Sequence, residues 1–407
     1  MTVETRDLPA SPIPDHVPRE LILPIGLSEG PEFLADPYGL MASLHETHPA
    51  LFYSTFEHGE NAWMVTHHDD ILFVLRNPQI FTTRGTFQFP RSPENYFDFI
   101  PIEIDPPDHK KYRDILNAMF APPAIAKLES TMRRLAIQLI DGFIDNGECE
   151  FTAEFSRPFP VSVFLGLMGL PLNMRDTFVG WAMGLLHAQD KDAAAHAMIE
   201  IATYLSQVIK EKTQSPGDDV ISTIVQARPE GEPLGDNEVF GFVFFLFIAG
   251  LDTVFATLNN AFLWLATHPQ QRREIIENPN RIDGAVDELL RYFGVTFSGR
   301  LLARDYEMHG VKMKKGDRII CVLPAANFDP AVFQNPTAMD FQRPLRPNLS
   351  FSGGPHGCMG RHLARLEMKI SVQEFLRRIP DFQLKEGAGI EYWPGGVVGP
   401  KALPFTW

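Results

Sequence analysis

The sequence predicts a mainly α protein with small β-sheets, organised as a single domain over residues 1–407. Amphipathic segments separated by prolines between residue 105 and about residue 228 indicate several helices. Residues 236–268 predict the longest helix, with Asp236 as its cap and a proline directly after its end. Short runs of alternating polarity predict the strands, at residues 50–54, 62–66, 300–303, 306–308 and 318–323.

The ends of the chain and two local patterns give further expectations. Residues 1–35 are interrupted by prolines and predict an extended arm, and residues 394–407 predict a loop and a hairpin. Asp105 precedes two prolines, which is typical of a helix start with an acidic cap.

Composition limits the classes of function. A hydrophobic content of 44% with 32 phenylalanines predicts a large apolar interior. The formal net charge of −15 argues against nucleic acid as a partner, because binding to phosphates needs a basic surface. The apolar run at residues 239–251 is shorter than a bilayer span and ends at Asp252, so we expect a buried helix and no membrane segment.

The cysteine content points to a reducing compartment. Cys149, Cys321 and Cys358 are odd in number and widely spaced, which fits neither a disulfide framework nor a zinc site. The first 20 residues are polar and contain no apolar signal core. We therefore expect a cytoplasmic protein.

A glycine-rich loop holds the most informative cysteine. Residues 351–360 read Phe-Ser-Gly-Gly-Pro-His-Gly-Cys-Met-Gly, and a helical pattern follows. A thiolate at Cys358 would be stabilised by the positive end of that helix and by backbone N–H groups. A buried structural cysteine is the alternative for Cys358 alone.

Two further patterns lie within predicted helices. Residues 249–253 read Ala-Gly-Leu-Asp-Thr, which puts polar groups into the apolar helix and indicates either a kink or a functional break. Glu288 and Arg291 are three residues apart on a helix, a spacing most often seen in surface ion pairs. No Gly-x-Gly-x-x-Gly motif follows a strand, so no internal nicotinamide or flavin domain is expected.

Together these residues resemble the cytochrome P-450 family over nearly the whole chain, most closely its bacterial camphor-hydroxylating branch. The loop around Cys358 matches the family pattern Phe-x-x-Gly-x-x-x-Cys-x-Gly. Further matching stretches lie at residues 98–101, 104–107, 250–254, 305–311, 378–382 and 402–404. The resemblance implies the cytochrome P-450 fold, with the long helix passing over a haem.

The resemblance implies a haem b cofactor whose iron is bound by the Cys358 thiolate. It implies that Thr253 and Asp252 deliver the protons that break the O–O bond, and that Gly250 leaves room for dioxygen. By the same resemblance, Glu288 and Arg291 form a buried structural pair that Arg343 joins.

The resemblance also identifies candidate contacts to the haem and to the substrate. Residues that match haem-contacting positions are Arg113, His109, Arg300, His356 and Phe351. Residues that match the substrate pocket are Gln88, Tyr96, Phe97, Phe245, Ile248, Thr296 and Val397. Phe97 stands where the camphor enzyme has the tyrosine that binds the substrate ketone, so the pattern disfavours camphor and favours a compact, mostly apolar terpenoid or norisoprenoid.

The implied activity is a monooxygenase reaction that uses dioxygen and two external electrons. The expected donor is an acidic two-iron two-sulfur ferredoxin with its flavin-dependent ferredoxin reductase, and the enzyme is expected to be a monomer. The expected docking surface comprises Lys110, Lys111, Arg113, Arg361 and Arg365. Two alternatives remain open, a peroxide-driven peroxygenase of the same fold and a non-enzymatic haem-binding sensor or carrier.

Overall fold

The structure, a computed structural model, describes residues 12–56, 59–86, 97–187 and 191–407. Within these residues the α-helices are α1 (Pro31–Ala35), α2 (Pro37–Thr47), α3 (His68–Arg76), α4 (His109–Asn117), α5 (Pro122–Ala126), α6 (Glu129–Asp141), α7 (Pro158–Met168), α8 (Arg175–Leu186), α9 (Lys191–Gln214), α10 (Val220–Gln226), α11 (Asp236–Leu251), α12 (Thr253–Thr267), α13 (Pro269–Glu277), α14 (Ile282–Tyr292), α15 (Leu323–Ala326) and α16 (Arg361–Arg378). The strands are β1 (Leu51–Thr55), β2 (Asn61–Val65), β3 (Phe81–Thr82), β4 (Glu148–Glu150), β5 (Ser298–Leu302), β6 (Tyr306–Met308), β7 (Val311–Met313), β8 (Arg318–Cys321), β9 (Gln383–Leu384) and β10 (Pro404–Thr406). The predicted fold class, mainly α with small β-sheets, is confirmed.

The largest sheet joins parts of the chain that are far apart in sequence. Its strand order is β1-β2-β8-β5-β3, with β2 and β8 parallel and the other pairs antiparallel. In β5, Arg300 lies opposite Ile319 of β8. Because β5 has neighbours on both sides, Arg300 lies inside the sheet, and only 3% of its surface is exposed.

The long apolar helix is interrupted in its middle. We predicted one helix over residues 236–268, but α11 ends at Leu251 and α12 begins at Thr253. Asp252 between them has φ −100° and ψ −43°. The N-terminal cap is Gly235, whose N–H donates to the Glu238 carboxylate at 2.7 Å, so the prediction of Asp236 as the cap was wrong.

The length argument against a membrane segment was also wrong. Residues 236–267 continue across the break as a span long and apolar enough to cross a bilayer, with a hydropathy of 2.2. A core helix passes the same test, and Phe242, Phe244 and Phe262 are fully buried in two of the protein's hydrophobic clusters. The packing of α11 and α12 is that of core helices.

Two buried asparagines on α12 hold the C-terminal segment against this helix. The Asn259 amide donates to the carbonyl of Pro400 at 3.0 Å, and the Asn260 amide donates to that of Val398 at 2.8 Å. Both side chains are buried, so these bonds form where water does not compete. They fix residues 398–400 beside α12.

The C-terminal strand pairs with distant partners. A local hairpin forms slightly earlier than the expected residues 394–407: Tyr392 and Pro400 are joined by an antiparallel bridge, and the N–H of Trp393 donates to the carbonyl of Gly399 at 3.1 Å. The last strand, β10, takes no part in it and lies between β4 and β9 in a three-stranded sheet. Phe405 lies opposite both Cys149 and Leu384 and is fully buried. Burial of this side chain in the main core stabilises the distant pairing over a local one.

The expected cap at Asp105 was also wrong. Its carboxylate accepts hydrogen bonds from the hydroxyl and from the backbone N–H of Thr83, both at 3.0 Å. The helix α4 begins only at His109, after a turn. Asp105 therefore ties the approach to α4 to the end of β3.

The N-terminal arm is shorter than expected within the described residues. Residues 12–30 contain one 3-10 turn, Arg19–Leu21, and α1 already occupies the last five positions of the expected arm. Residues 1–11 lie outside the described part of the chain. The interpretation of residues 1–407 as one domain stays a prediction.

A buried carboxylate on α14 binds two arginines. Arg291 Nη2 lies 2.8 Å from Glu288 Oε1, and Arg343 Nε lies 2.9 Å from the same oxygen. The side chains of Glu288 and Arg291 are each 3% exposed. One carboxylate shared by two guanidinium groups thus joins α14 to the long loop before α16.

The same cluster extends to the start of the cysteine loop. Arg291 Nη1 donates to the carbonyl of Asn327 at 2.8 Å, and the Asn327 amide donates to Ser350 Oγ at 2.8 Å. The N–H of Leu349 donates to Asn327 Oδ1 at 2.8 Å. Because Leu349 and Ser350 directly precede Phe351, the Glu288 cluster positions the beginning of the glycine-rich loop.

We expect Glu288→Ala to lower the free energy of unfolding by about 3–5 kcal/mol, because it leaves a buried arginine without its counter-ion. Urea unfolding followed by circular dichroism measures this loss. The control is Glu148→Ala, which removes the partner of Lys385 from a pair that is 54% exposed on both sides. That variant should lose less than about 1 kcal/mol, and equal losses in the two variants would contradict the structural role.

Candidate functional site

The cysteine loop is folded tightly against α3. Gly354 has φ +66°, and a Cβ on it would lie 2.3 Å from the carbonyl oxygen of Leu75. Only glycine meets both requirements. The N–H of Cys358 donates to the carbonyl of Phe351 at 2.8 Å, which closes the loop two residues before the cap of α16.

The environment of the Cys358 sulfur combines burial with positive potential. Burial raises the pKa of the thiol. Hydrogen bonding by the N–H groups of Gly360 and Arg361, and the charges of Arg113 and Arg361, act on the pKa in the opposite direction. These donors stabilise a thiolate once a bound metal replaces the thiol proton.

Part of the surface of Cys358 is accessible to a solvent-sized molecule. Protein atoms nevertheless surround the residue, and this burial raises the pKa of its thiol. The sulfur therefore opens onto an internal cleft. Met359 beside it packs against the same hydrophobic cluster as Phe245 and Ile248 of α11. The cysteine loop and the middle of α11 thus border one region.

One face of α11 and the start of α12 remains accessible in this region. Phe245 and Ile248 are half-buried, Ala249 is exposed, and Thr253 is half-buried. Their spacing of three, four and eight residues puts them on one side of the helical axis. Phe244, Phe247 and Leu251 on the other faces are buried.

Gly250 lies where α11 packs closely on α7. A Cβ on Gly250 would lie 2.4 Å from Cδ2 of Phe164 on α7, so the glycine permits this close packing. Its expected role in leaving room for dioxygen stays a prediction. Ala249, the residue before it, is exposed on the accessible face and was not singled out from the sequence.

Thr253 and Asp252 are adjacent in sequence but have different partners. The Thr253 hydroxyl lies 3.5 Å from the carbonyl of Ala249, a long contact that leaves it available to other partners. The Asp252 carboxylate is buried, and its Oδ1 lies 2.9 Å from Nε2 of His187, directly after α8. No sequence pattern indicated His187, because it is brought to Asp252 only by the packing of α8.

Four basic side chains predicted to contact the haem gather at one end of the cleft. The rings of His109 and His356 lie 4.3 Å apart between their centroids. The charges of Arg113 and Arg300 both act on His356. The structure thus brings together His109, His356, Arg113 and Arg300 from α4, the cysteine loop and β5.

Several nitrogen atoms of these four side chains have no hydrogen-bond partner in the protein. His109 Nε2, Arg300 Nη2 and both ring nitrogens of His356 are buried and have no protein hydrogen-bond partner. Burial and the charge of Arg113 lower the pKa of His109 to about 4. Burial, followed by the charges of His109 and the two arginines, lowers the pKa of His356 to about 2. Such a group fits an anionic ligand that accepts several hydrogen bonds.

These features match the donor set that haem requires. A cysteine sulfur with N–H donors suits the iron, the unpartnered basic groups suit the two propionates, and the mostly apolar face of α11 suits the macrocycle. Phe351 is half-buried, and its carbonyl accepts the N–H of Cys358, so it contributes to the loop. The residues present therefore fit the group.

The structure describes five of the seven expected pocket residues. Thr296 and Val397 are both half-buried and are joined by an isolated β-bridge. Phe97 is half-buried, with its ring centroid 4.8 Å from that of Phe240 on α11. The remaining two expected residues, Gln88 and Tyr96, lie outside the described part of the chain.

The basic surface is weaker than its sequence suggests. Three of its five cations pair with acids of the same chain: Lys110 with Asp114, Lys111 with Glu238, and Arg365 with Asp287. Arg361 is exposed and, within the described residues, has no ion pair. Arg113 is half-buried. Arg361 is therefore the main cation that this surface offers to a partner.

Comparisons with known proteins give one family. A sequence profile described as cytochrome P-450 matches residues 172–388. A curated relative from Sinorhizobium fredii, named probable cytochrome P-450 127A1, is 33% identical, and the match covers 98% of this chain and 97% of the relative. The crystal structure of CYP101J2 is similar with a TM-score of 0.87 at 30% identity, covering 98% of this chain and 100% of the other. That of cytochrome P-450 CYP101C1 also has a TM-score of 0.87, at 28% identity, covering 97% and 99%.

We expect Gly250→Ala to destabilise the protein by about 1–3 kcal/mol, because the new methyl group overlaps Phe164. Adding Phe164→Leu should recover part of this loss, and urea unfolding measures both variants. The control is Gly166→Ala on α7, where no heavy atom lies within 4 Å of the new Cβ. A Gly250→Ala protein as stable as the parent would contradict the close helix contact.

Proposed function

Because the chain belongs to the cytochrome P-450 family, whose cofactor is haem with a cysteine thiolate as axial ligand, we propose that it is a monooxygenase with Cys358 as that ligand. The observation that carries the proposal is the internal cleft bordered by the Cys358 sulfur, the accessible face of α11 and the basic groups without partners. When bound, haem b supplies the chemistry that inserts one atom of dioxygen into a C–H bond and reduces the other to water.

The basic group at the end of the cleft would hold the haem propionates. Arg300 donates from Nη1 to Ser298 Oγ at 2.9 Å and to the carbonyl of Gly299 at 2.6 Å, which orients its free Nη2. His356, His109 and Arg113 supply further donors. Binding of two carboxylates would satisfy buried nitrogens that are otherwise unpartnered, which supports tight retention of the cofactor.

Thr253 and Asp252 would supply protons on the oxygen side of the haem. The Thr253 hydroxyl lies on the accessible face, where it can hold a proton donor in position. Asp252 lies behind it in the break between α11 and α12 and can replace the donated proton. A hydroxyl and a carboxyl group in this order are suited to stepwise proton delivery.

The substrate would be a compact and mostly apolar molecule of terpenoid or norisoprenoid type. Phe97, Phe245, Ile248 and Val397 are apolar, and Thr296 offers one hydroxyl. Gln88 and Tyr96 belong to the same proposed pocket. Phe97 cannot donate a hydrogen bond to a ketone, so camphor is not the expected substrate.

Electrons would come from a two-iron two-sulfur ferredoxin that is reduced by a flavin-dependent reductase. Arg361 is the exposed cation next to the cysteine loop, and it suits an acidic partner. We place the enzyme in the cytoplasm as a soluble monomer with one haem domain, consistent with its cysteine content and net charge of −15.

The visible spectrum of the reduced protein under carbon monoxide tests the thiolate ligand. We expect the strong red shift of the Soret band that thiolate ligation gives, and we expect Cys358→Ser to abolish it because a serine hydroxyl is a poor donor to iron. Cys149→Ala is the control, because this cysteine is buried in β4 and should leave the band unchanged. A parent protein that binds haem without the red shift would contradict the proposal.

Titration of the ferric protein with a terpenoid and norisoprenoid panel, followed by product analysis, tests the reaction class. Hydroxylated product with ferredoxin and dioxygen supports the monooxygenase. Product with hydrogen peroxide alone would identify a peroxygenase, and binding without electron uptake would identify a sensor or carrier.

We expect Arg361→Glu to slow electron transfer from the ferredoxin, and to do so more at low salt than at high salt, because exposed charges are screened. Stopped-flow reduction at two ionic strengths measures the effect, with haem content checked in each variant. Lys385→Glu is the control, since that lysine directly follows β9 and pairs with Glu148 of β4. Slowing of Arg361→Glu relative to the parent by the same factor at both ionic strengths, or no slowing, would reject the docking surface.

A further inference from the structure

His187 and Asp252 form a buried pair that the proposed reaction does not yet explain. Their side chains are 6% and 5% exposed, and His187 Nε2 lies 2.9 Å from Asp252 Oδ1. Among the described residues, His187 is the one hydrogen-bond partner of the Asp252 side chain. The carboxylate proposed to supply protons to Thr253 is thus hydrogen-bonded to an imidazole. Each of the two ring nitrogens of this imidazole can bind a proton.

The other nitrogen of His187 is unpartnered, and so is the indole nitrogen of a neighbouring tryptophan. His187 Nδ1 and Trp393 Nε1 are both buried and have no hydrogen bond within the described residues. The two rings lie 4.7 Å apart between their centroids. Buried polar atoms in such pairs are usually satisfied by water.

Permanent charges surround the pair. The Arg157 guanidinium faces Asp252 and Glu150 and lies 5.1 Å from the centroid of the Phe255 ring. On the opposite side, Lys401 Nζ lies 5.2 Å from the centroid of Trp393 and pairs with Glu391 at 3.0 Å. Among the side chains here, an imidazole is the type best suited to pass a proton on, because each ring nitrogen can bind one.

We propose that protons reach Asp252 through His187, an inference that rests on the proposed function. Water beside Trp393 gives a proton to Nδ1 and regains one from bulk solvent, and Nε2 gives its proton to Asp252 Oδ1, so one solvent proton enters the ring and one leaves it. The ring then turns over or exchanges with water to regain its starting tautomer. Asp252 passes the proton on toward Thr253 and becomes a carboxylate again.

Two substitutions of His187 distinguish a proton relay from a purely structural role. His187→Gln keeps an N–H donor that can reach Asp252 but cannot carry a proton through the side chain, whereas His187→Ala loses both functions. His196→Gln is the matched control, because His196 is an exposed histidine on α9 beside Glu200. A relay makes the glutamine variant as defective as the alanine variant, and a structural anchor makes it equal to the parent.

The first measurement uses the holoenzyme with two-iron ferredoxin, its reductase, NADH and β-ionone as a norisoprenoid probe. We expect peroxide formed per NADH to rise, and the rate of proton-dependent turnover to fall about tenfold, in both His187 variants, with a larger solvent isotope effect than in the parent. Parent values in His187→Gln would overturn the relay. If Asp252→Asn and Thr253→Ala also match the parent, the proposed function itself fails, and if they lose coupling while His187→Gln does not, only the relay fails.

A second measurement does not depend on turnover. Nitrogen-15 NMR of the histidine rings in the diamagnetic ferrous carbon monoxide form reports protonation at each ring nitrogen, with His187→Gln used for assignment. A relay requires the ring proton of His187 to exchange with solvent while the protein stays folded. A ring proton that is protected from exchange would overturn the proposal.

Discussion

The carboxylate of Glu288 is the constraint on which the geometry of the proposed haem site depends. It neutralises two arginines in the protein interior, and the second side of Arg291 binds the carbonyl of Asn327. Asn327 in turn holds the residues that open the cysteine loop. A buried ion cluster contributes little net stability compared with an apolar replacement, so its value here lies in geometry. It gives the Cys358 loop one position relative to α14.

The break at Asp252 shows how the long central helix serves both packing and chemistry. Most of α11 is apolar, and burial of seven of its 16 residues stabilises the core. A buried carboxylate inside such a helix is costly unless it has a partner, and His187 provides one. Neighbouring residues on a helix project in different directions, so Thr253 lies on the accessible face while Asp252 points toward α8.

The distribution of charge separates the inside of the cleft from the outer surface. The protein is acidic overall, yet the basic groups at the end of the cleft have few acids opposite them. On the outer surface most of the basic side chains near the cysteine loop do have acidic partners. Lysines of α4 and Arg365 of α16 are neutralised by nearby acids. The unbalanced cations are thus kept where an anionic cofactor would bind, and an acidic partner meets a small positive surface around Arg361.

Features that depend on neighbouring residues could be predicted from the sequence alone: the glycine-rich loop before a helix, the apolar central helix, and the alternating strands. Their patterns reflect local geometry, which repeats every two or 3.6 residues. Four features depend on tertiary packing: the partnership of His187 with Asp252, the role of Asn327, the pairing of β10, and the close contact of Gly250 with Phe164. Each of these depends on which distant side chain packing brings near, and no local pattern carries that information.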